Sequence, residues 1–134
     1  MSRVLIDTHV LIWSLLASRR LSAGALRQIE AADLVLVSAA SFYELELKRR
    51  ADRARSRRDD LAALPAALLE HVQGLGLAVL PISPEQAVMA AKLPISHGDP
   101  WDRVLLAQAR DLDVPLISAD AVLRRYAGDV PVIW

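Results

Sequence analysis

Short apolar runs alternate with longer segments of helical period along this chain, and that alternation is what most restricts its fold. Strands are predicted at residues 3–6 (RVLI), 34–37 (LVLV), 77–82, 115–117 and 130–134. The segments between them carry apolar residues at helical spacing, as in 9–17, 22–32 and 100–112. This order is typical of a parallel sheet with helices on both faces, and continuously apolar strands suit burial on both sides. We therefore predict an α/β fold around a central parallel sheet.

The length and composition suit a globular protein. The 134 residues can form a single domain over 1–134 with its own core, and 54% of them are hydrophobic. The absence of cysteine excludes disulfides, thiolate zinc sites and cysteine nucleophiles, and it is compatible with a cytoplasmic location. Sixteen basic residues balance sixteen acidic ones, so the net charge neither favours nor excludes a polyanionic partner. No run reaches the roughly 18 uncharged apolar residues of a membrane span, so no membrane contact is expected.

Acidic residues occur where the predicted strands give way to helices. Asp7 directly follows the first strand, Glu44 lies in the first turn of the helix after the second, and Asp120 follows the fourth. Residues that directly follow the strands of an open parallel sheet lie at its carboxyl edge, where such folds bind ligands. Asp102 begins a helix that leads into the fourth strand. It reaches the same edge only if the loop at 95–98 places the start of that helix there.

Each of these carboxylates can also be interpreted as a helix cap. Asp7 and Asp120 fit N-caps, Ser41-x-x-Glu44 fits a capping box, and Asp99 fits an N-cap followed by a proline. If they converge at one edge, however, they repel one another by about a few kcal/mol unless a cation neutralises them. Oxygen ligands without cysteine favour Mg²⁺ or Mn²⁺ over zinc.

Four motifs of this chain resemble those of a known family. VLIDTHVLIW, SAASFYELELK, ISHGDPWDRVLLAQA and LISAD are similar, in this order, to the acidic motifs of PIN domains, and in particular of VapC-type toxins from bacterial toxin–antitoxin pairs. The third is the most specific and resembles the pattern H-x-D-P-F-D-R, with Trp101 in the phenylalanine position. The resemblance covers nearly the whole chain, and four motifs in order are far more specific than any one of them.

The resemblance implies an α/β/α sandwich and an endoribonuclease that hydrolyses RNA phosphodiester bonds as the toxin of such a pair. It assigns catalysis, and the binding of one or two Mg²⁺ or Mn²⁺ ions, to Asp7, Glu44, Asp102 and Asp120. Asp99, Ser118 and Thr8 are candidates for the outer shell of the site. Capping is the favoured role of Asp99, and bonds to local backbone are an equal alternative for the two hydroxyls. The family also implies a homodimer and a cognate antitoxin protein.

A basic segment at residues 48–58 (KRRADRARSRR) contains seven basic residues and a single acid. It is either a solvated helix end or a patch that contacts RNA phosphates, with Arg49, Arg50 and Arg53 as candidate contacts. Arg103 follows a candidate metal ligand and is a further candidate, with a salt bridge as its alternative. The histidines form no zinc motif, and we expect His9 to be packed and hydrogen-bonded at the start of an apolar helix. The aromatic residues, Trp13 among them, are too scattered to predict a base-stacking platform.

Two other functions are compatible with parts of the pattern. A phosphoacceptor or phosphatase-like α/β domain would use Asp7 as its nucleophile, but such sites usually have a second acid beside it or two residues away. Here those positions hold Thr8 and His9. A non-catalytic PIN-like module for RNA binding or protein interaction predicts the loss of at least one acid, and none is missing. A nucleotide-cofactor domain is disfavoured because no glycine-rich phosphate-binding motif occurs.

Overall fold

The computed structural model describes residues 1–55, 60–96, 98–126 and 128–134, and side chains are described except at 52–55, 60 and 126. These residues form a five-stranded parallel sheet in the order β3-β2-β1-β4-β5. The strands are β1 Arg3–Ile6, β2 Leu34–Ser38, β3 Ala78–Leu80, β4 Leu116–Ile117 and β5 Val132–Ile133. The predicted strands are confirmed in place and direction, although the last three are shorter than the apolar runs suggested.

The helices cover both faces of this sheet. They are α1 Thr8–Leu15, α2 Ala23–Ala31, α3 Ala39–Arg55, α4 Leu68–Gly74, α5 Pro84–Lys92, α6 Pro100–Leu112 and α7 Ala121–Tyr126, with a short 3-10 turn at Asp60–Ala63. Pro65 lies between the 3-10 turn and α4. Within the described residues, none of the helices has the length and apolar character needed to cross a membrane.

Alternate residues of the central strands enter two separate cores. Val4 and Ile6 of β1 point to one face, where they pack with residues of α1, α2, α3 and α4. Leu5 points to the other face, where it packs with residues of α5, α6 and α7. Since every residue of a strand covered on both sides meets apolar neighbours, the sequence of such a strand need not alternate. The fold is therefore the predicted three-layer α/β/α sandwich.

The strand order reverses at β1, which positions the site. The chain runs outward from β1 through β2 to β3, and then returns to the opposite side of β1 to form β4 and β5. The connections after β1 and β4 consequently diverge and leave a crevice between the carboxyl ends of these two strands. Open α/β sheets bind ligands at such a reversal.

One cap differs from the prediction. The helix α3 begins at Ala39, directly after β2, and the Ser38 hydroxyl accepts a hydrogen bond from the Ala40 amide at 3.1 Å. Ser41 thus lies inside the helix, so the predicted capping box with Glu44 is wrong. An apolar strand that continues directly into a helix gives no local signal for the boundary, and a serine at its last position was available as the cap.

Candidate active site

A cleft of about 430 Å³ opens at the carboxyl end of the sheet, where the segments that follow β1 and β4 diverge. The acidic side chains that line it come from separate parts of the chain; they are Asp7, Glu44, Asp99, Asp102 and Asp120. The four sequence-predicted metal ligands and the candidate outer-shell Asp99 are therefore brought together in this cleft.

Asp7 is the buried member of this group, with 5% of its surface exposed. It is the N-cap of α1 and accepts a hydrogen bond from the Val10 amide at 2.8 Å. Burial raises the pKa of the Asp7 carboxyl above its usual value of 3.8, whereas hydrogen bonds from Ser118 and the Val10 amide and the charge of His9 act to lower it. The nearby Glu44 acts with burial to raise this pKa. A buried carboxylate beside another carboxylate is stabilised when a cation arrives.

Ser118 connects the acids that follow β1 and β4. Its side chain is fully buried, it hydrogen-bonds the Asp7 carboxylate, and its hydroxyl oxygen accepts from the Asp120 amide at 3.1 Å. Asp120 in turn caps α7 by accepting from the Val122 and Leu123 amides at 2.8 and 3.1 Å. One hydroxyl thus links the Asp7 carboxylate to the backbone of Asp120.

Glu44 is held by two side chains. The Thr8 hydroxyl donates to Glu44 Oε1 at 2.6 Å, and Ser41 Oγ lies 3.0 Å from the same hydroxyl. Lys48, one turn further along α3, places its ammonium 3.2 Å from Glu44 Oε2. Because α3 begins at Ala39 and not after a cap at Ser41, Glu44 lies in its second turn, where it can face α1 across the cleft. Thr8 and Ser118 therefore bond site residues as well as shaping the local chain.

The start of α6 brings Asp99 and Asp102 to the cleft. Asp99 Oδ1 accepts from the Trp101 and Asp102 amides at 2.9 and 3.1 Å, so the predicted N-cap is confirmed. The loop before this helix is held by the guanidinium of Arg103. That group donates to the carbonyl oxygens of four residues at the end of α5 and in the loop, at 2.9 to 3.1 Å, namely Ala90, Ala91, Leu93 and Ile95.

The basic residues expected to contact RNA have different environments. Arg103 donates to the backbone of the loop, and its phosphate contact stays a prediction. Arg49 is wrong as a phosphate contact, because it is 5% exposed and its guanidinium donates to the carbonyls of Pro65 and Ala66 at 2.5 and 3.5 Å. Buried guanidinium groups must bond internal acceptors. Arg50 is exposed and stays a candidate, whereas the side chain of Arg53 lies outside the described residues.

His9, Trp13 and Arg20 also line the cleft, and the sequence prediction missed all three. His9 is exposed rather than packed. Its ring lies against that of Trp13, with centroids 5.7 Å apart. A signal for this pair existed, since residues four apart on a helix that begins at a site acid share one face. Arg20 had no such signal, because its position depends on the path of the loop between α1 and α2.

The donor set of the cleft fits a hard divalent cation. Its charged donors are carboxylate oxygens, the ligands that Mg²⁺ and Mn²⁺ prefer. A carboxylate offers about four acceptor positions, so a side chain that caps a helix can also bind an ion. Among the described residues, however, no three acidic or histidine side chains already form a group that could hold a metal.

The comparisons with known proteins agree with this arrangement. The family model of the PIN domain matches residues 4–129, and the chain belongs to the PIN domain family. Ribonuclease VapC22 of Mycobacterium tuberculosis (strain ATCC 25618 / H37Rv) is 36% identical over 136 residues, and all of both chains is covered. The resemblance of the motifs to VapC-type PIN domains is thereby confirmed.

Solved structures show the same fold at low sequence identity. FitAcB from Neisseria gonorrhoeae superposes with a TM-score of 0.60 at 17% identity, covering 96% of this chain and 95% of the other. A toxin–antitoxin complex from Klebsiella pneumoniae gives a TM-score of 0.61 at 18% identity, covering 98% and 96%. VapBC2 from Rickettsia felis, bound to a DNA fragment from its promoter, gives 0.61 at 9% identity, covering 97% and 96%.

Proposed function

We propose that this chain, as a single PIN-like nuclease domain over 1–134, is a divalent-metal-dependent endoribonuclease and the toxin of a toxin–antitoxin pair. The observation that supports this most is that the acids of all four motifs line one cleft at the carboxyl end of the sheet. A second support is the full-length similarity to a protein named as a ribonuclease.

In this proposal one or two Mg²⁺ or Mn²⁺ ions are held by Asp7, Glu44, Asp102 and Asp120. When bound, such an ion supplies Lewis-acid stabilisation of the negative charge that develops on the phosphate during hydrolysis. Asp7 must bind as a carboxylate, and because burial raises its pKa, protons compete with the metal for this side chain as the pH falls. Ser118 orients Asp7 and the backbone of Asp120, and Thr8 orients Glu44. Asp99 keeps the start of α6, and with it Asp102, at the cleft.

The partners of this proposal are an RNA substrate, a cognate antitoxin protein and a second copy of the chain, acting in the cytoplasm. The apolar side chains of α1 are largely core, with Val10 and Leu11 fully buried. The helix α3, by contrast, exposes Tyr43 and Leu47, which are four residues apart and 58% and 45% exposed. Adjacent exposed apolar side chains of this kind suit contact with a protein partner. A toxin–antitoxin complex from Klebsiella pneumoniae has the same fold, which supports a cognate antitoxin as partner.

The test separates capping from catalysis. Asparagine caps a helix about as well as aspartate, so Asp7→Asn and Asp102→Asn should fold with nearly unchanged melting temperatures. Cleavage of a labelled single-stranded RNA of random sequence in Mg²⁺ or Mn²⁺ should fall more than about 100-fold, beyond the about 10–100-fold typical of residues that only support metal ligands. Mn²⁺ binding, measured by calorimetry, should weaken in parallel.

Asp113→Asn is the matched control, because Asp113 is an exposed acid that lines a separate cleft at the other end of the sheet. Its left-handed backbone, with φ of 54°, also tolerates asparagine. Full cleavage activity in Asp7→Asn would refute the proposal. Binding of the RNA by the wild-type protein with no metal-dependent cleavage would favour the non-catalytic module instead. A phosphoacceptor domain is less compatible with the buried, hydrogen-bonded state of Asp7.

A further inference from the structure

The larger non-acidic side chains that line the cleft are His9, Trp13 and Arg20, and we refer to these three residues as the aromatic wall. We propose that the aromatic wall binds one unpaired nucleotide of the RNA beside the scissile phosphate, with the base against His9 and Trp13 and a phosphate on Arg20. This inference rests on the proposed function, since it names a substrate-binding part of the same cleft.

Trp13 is a preorganised surface for a planar ligand. Its ring contacts that of Trp134, with centroids 5.6 Å apart, and it packs against the buried core on the α1 face. The ring of His9 also contacts that of Trp13, with an interplanar angle of 46°, and this histidine is exposed to solvent. An aromatic side chain fixed in this way loses little conformational freedom when a base stacks on it. Stacking of bases on aromatic rings is a common basis of single-stranded RNA binding.

The loop between α1 and α2 presents Arg20 to the same space. Ala17 adopts a left-handed conformation with φ of 49°, and the Ser18 amide donates back to the Trp13 carbonyl at 2.9 Å. The Arg20 amide then donates to the Ser18 hydroxyl at 3.2 Å. These bonds fold the loop over the end of α1. Strained left-handed residues other than glycine are more common at functional sites than elsewhere.

Arg20 is available to an anion. Its guanidinium makes no hydrogen bond or ion pair with the described part of the chain, although it lines a cleft that contains carboxylates. A planar guanidinium can bind two phosphate oxygens at once. The cleft therefore combines a carboxylate wall, suited to a cation, with a wall that offers a positive charge and aromatic faces.

A nucleotide matches this pattern better than a protein segment does. A phosphodiester carries a negative charge next to a flat base, so it can complement Arg20 and the two rings together. The volume of about 430 Å³ lies within the range of ligand cavities and suits one nucleotide.

The first experiment measures the steady-state cleavage of a short single-stranded RNA. Arg20→Ala and Trp13→Leu should each raise KM about 10-fold with kcat changed less than about threefold, because the interaction concerns binding of the neighbouring nucleotide. Arg20→Lys should recover part of the affinity and Trp13→Phe most of it. Arg19→Ala is the matched control, since Arg19 is exposed and adjacent to Arg20 but does not line the cleft. His9→Gln tests the histidine of the aromatic wall, and His71→Gln is its matched control, since His71 is exposed and does not line the cleft.

The second experiment changes the RNA instead of the protein, which separates stacking from damage to the fold. In a series of substrates with one abasic nucleotide at each position around the cleavage site, one position should raise the wild-type KM about 10-fold. That substrate should have no further effect on Trp13→Leu, because the lost base and the lost ring belong to the same interaction. Additive effects would overturn the proposal, as would unchanged KM values in both Trp13→Leu and Arg20→Ala.

The outcomes distinguish this inference from the proposed function. If the wild-type protein cleaves no RNA in any metal, the proposed function fails, and the wall is then tested by binding of an RNA that contains 2-aminopurine. Quenching of its fluorescence that is lost in Trp13→Leu would support the wall, and the absence of wild-type binding would overturn it. Unchanged RNA kinetics combined with weaker binding of an antitoxin peptide would assign the wall to a protein partner and also overturn it.

Discussion

The two ends of the sheet open into clefts of nearly equal size, but the charged side chains that line them differ. The cleft at the carboxyl end measures about 430 Å³ and contains a convergence of carboxylates, whereas the cleft at the amino end measures about 440 Å³. Among the described residues, the charged side chains that line the second cleft are Arg3 and Asp113. Size therefore does not determine which end can do chemistry.

The direction of the backbone explains the difference. The helices α1 and α7 begin at the carboxyl end of the sheet, where their free amides bind the carboxylates of Asp7 and Asp120. Helix N-termini favour negative side chains by about 0.3–1 kcal/mol. At the amino end helices finish, and there the carbonyl of Leu112 accepts a hydrogen bond from Arg3 at 3.2 Å. The carboxylates that cap these helices are thus also the ligands that a cation could bind, so capping and metal binding are compatible roles.

The largest effect is expected from Arg103, and Arg3, which also bonds a backbone carbonyl, provides the comparison at the amino end. Arg103→Ala removes four hydrogen bonds that hold the loop before Asp102. We expect the free energy of unfolding to fall by about 2–4 kcal/mol and the rate of RNA cleavage to fall about 10–100-fold. Arg103→Lys should not restore activity, because one ammonium cannot reach all of these carbonyls in the geometry of a guanidinium.

Arg3→Ala is the control at the amino end, since Arg3 bonds the carbonyl of Leu112. It should lower the free energy of unfolding by less than about 1 kcal/mol and leave cleavage unchanged. Urea titrations and initial rates of RNA cleavage measure both quantities. Equal losses of activity in the two variants would show that the loop before Asp102 has no special part in placing the site.

A smaller effect is expected from hydroxyls that bond acids at each end. Thr8→Val removes the donor to Glu44, and it should reduce cleavage about 10-fold and stability by about 1–2 kcal/mol. Thr8→Ser should restore most of the activity because it restores the hydroxyl. At the amino end, Ser2→Ala removes an exposed hydroxyl 3.1 Å from the Asp33 carboxylate, and should change stability by less than about 0.5 kcal/mol. Wild-type rates in Thr8→Val would show that Glu44 needs no positioning.

The smallest effect concerns the pH dependence of stability without metal. The folded protein retains the proton of Asp7 to a higher pH than the unfolded chain, because burial raises the pKa of this carboxyl above 3.8. Asp7 therefore contributes to stability while the pH is below the pKa of the unfolded chain. This contribution is lost as the pH rises through the raised pKa of the folded protein. In Asp7→Asn this decrease should be absent, so the variant should be at least as stable as the wild type at neutral pH.

Thermal melts at several pH values in the presence of a chelator measure this difference. Addition of Mg²⁺ should then raise the melting temperature of the wild type more than that of Asp7→Asn, because an ion that binds the folded state alone stabilises it. Parallel pH profiles for the two proteins would contradict a raised pKa for Asp7. Stability would in that case give no evidence of a cost to keeping this carboxylate in the cleft.

Local sequence determined much of the architecture. The predicted bounds of β1 and α6 agree with the structure to the residue. The N-caps Asp7 and Asp99 were also identifiable, because a cap depends on an oxygen and an amide two or three residues apart. The position of Asp7, Glu44 and Asp120 at one edge followed from the parallel direction of the strands, since parallel strands end on the same side of a sheet.

Tertiary structure decided what the remaining side chains do. From the sequence, Arg49 and Arg103 were candidates for contact with RNA phosphates. In the fold their guanidinium groups bond carbonyls of residues that are distant in sequence. Asp102 reaches the cleft because Arg103 fixes the loop before it, and Arg20 joins His9 and Trp13 because a left-handed residue turns the chain back. No periodicity reports such contacts, since they depend on how loops close. Sequence patterns were therefore sufficient to identify the acids and the sheet edge they occupy, whereas the aromatic wall of the cleft became visible only in the folded chain.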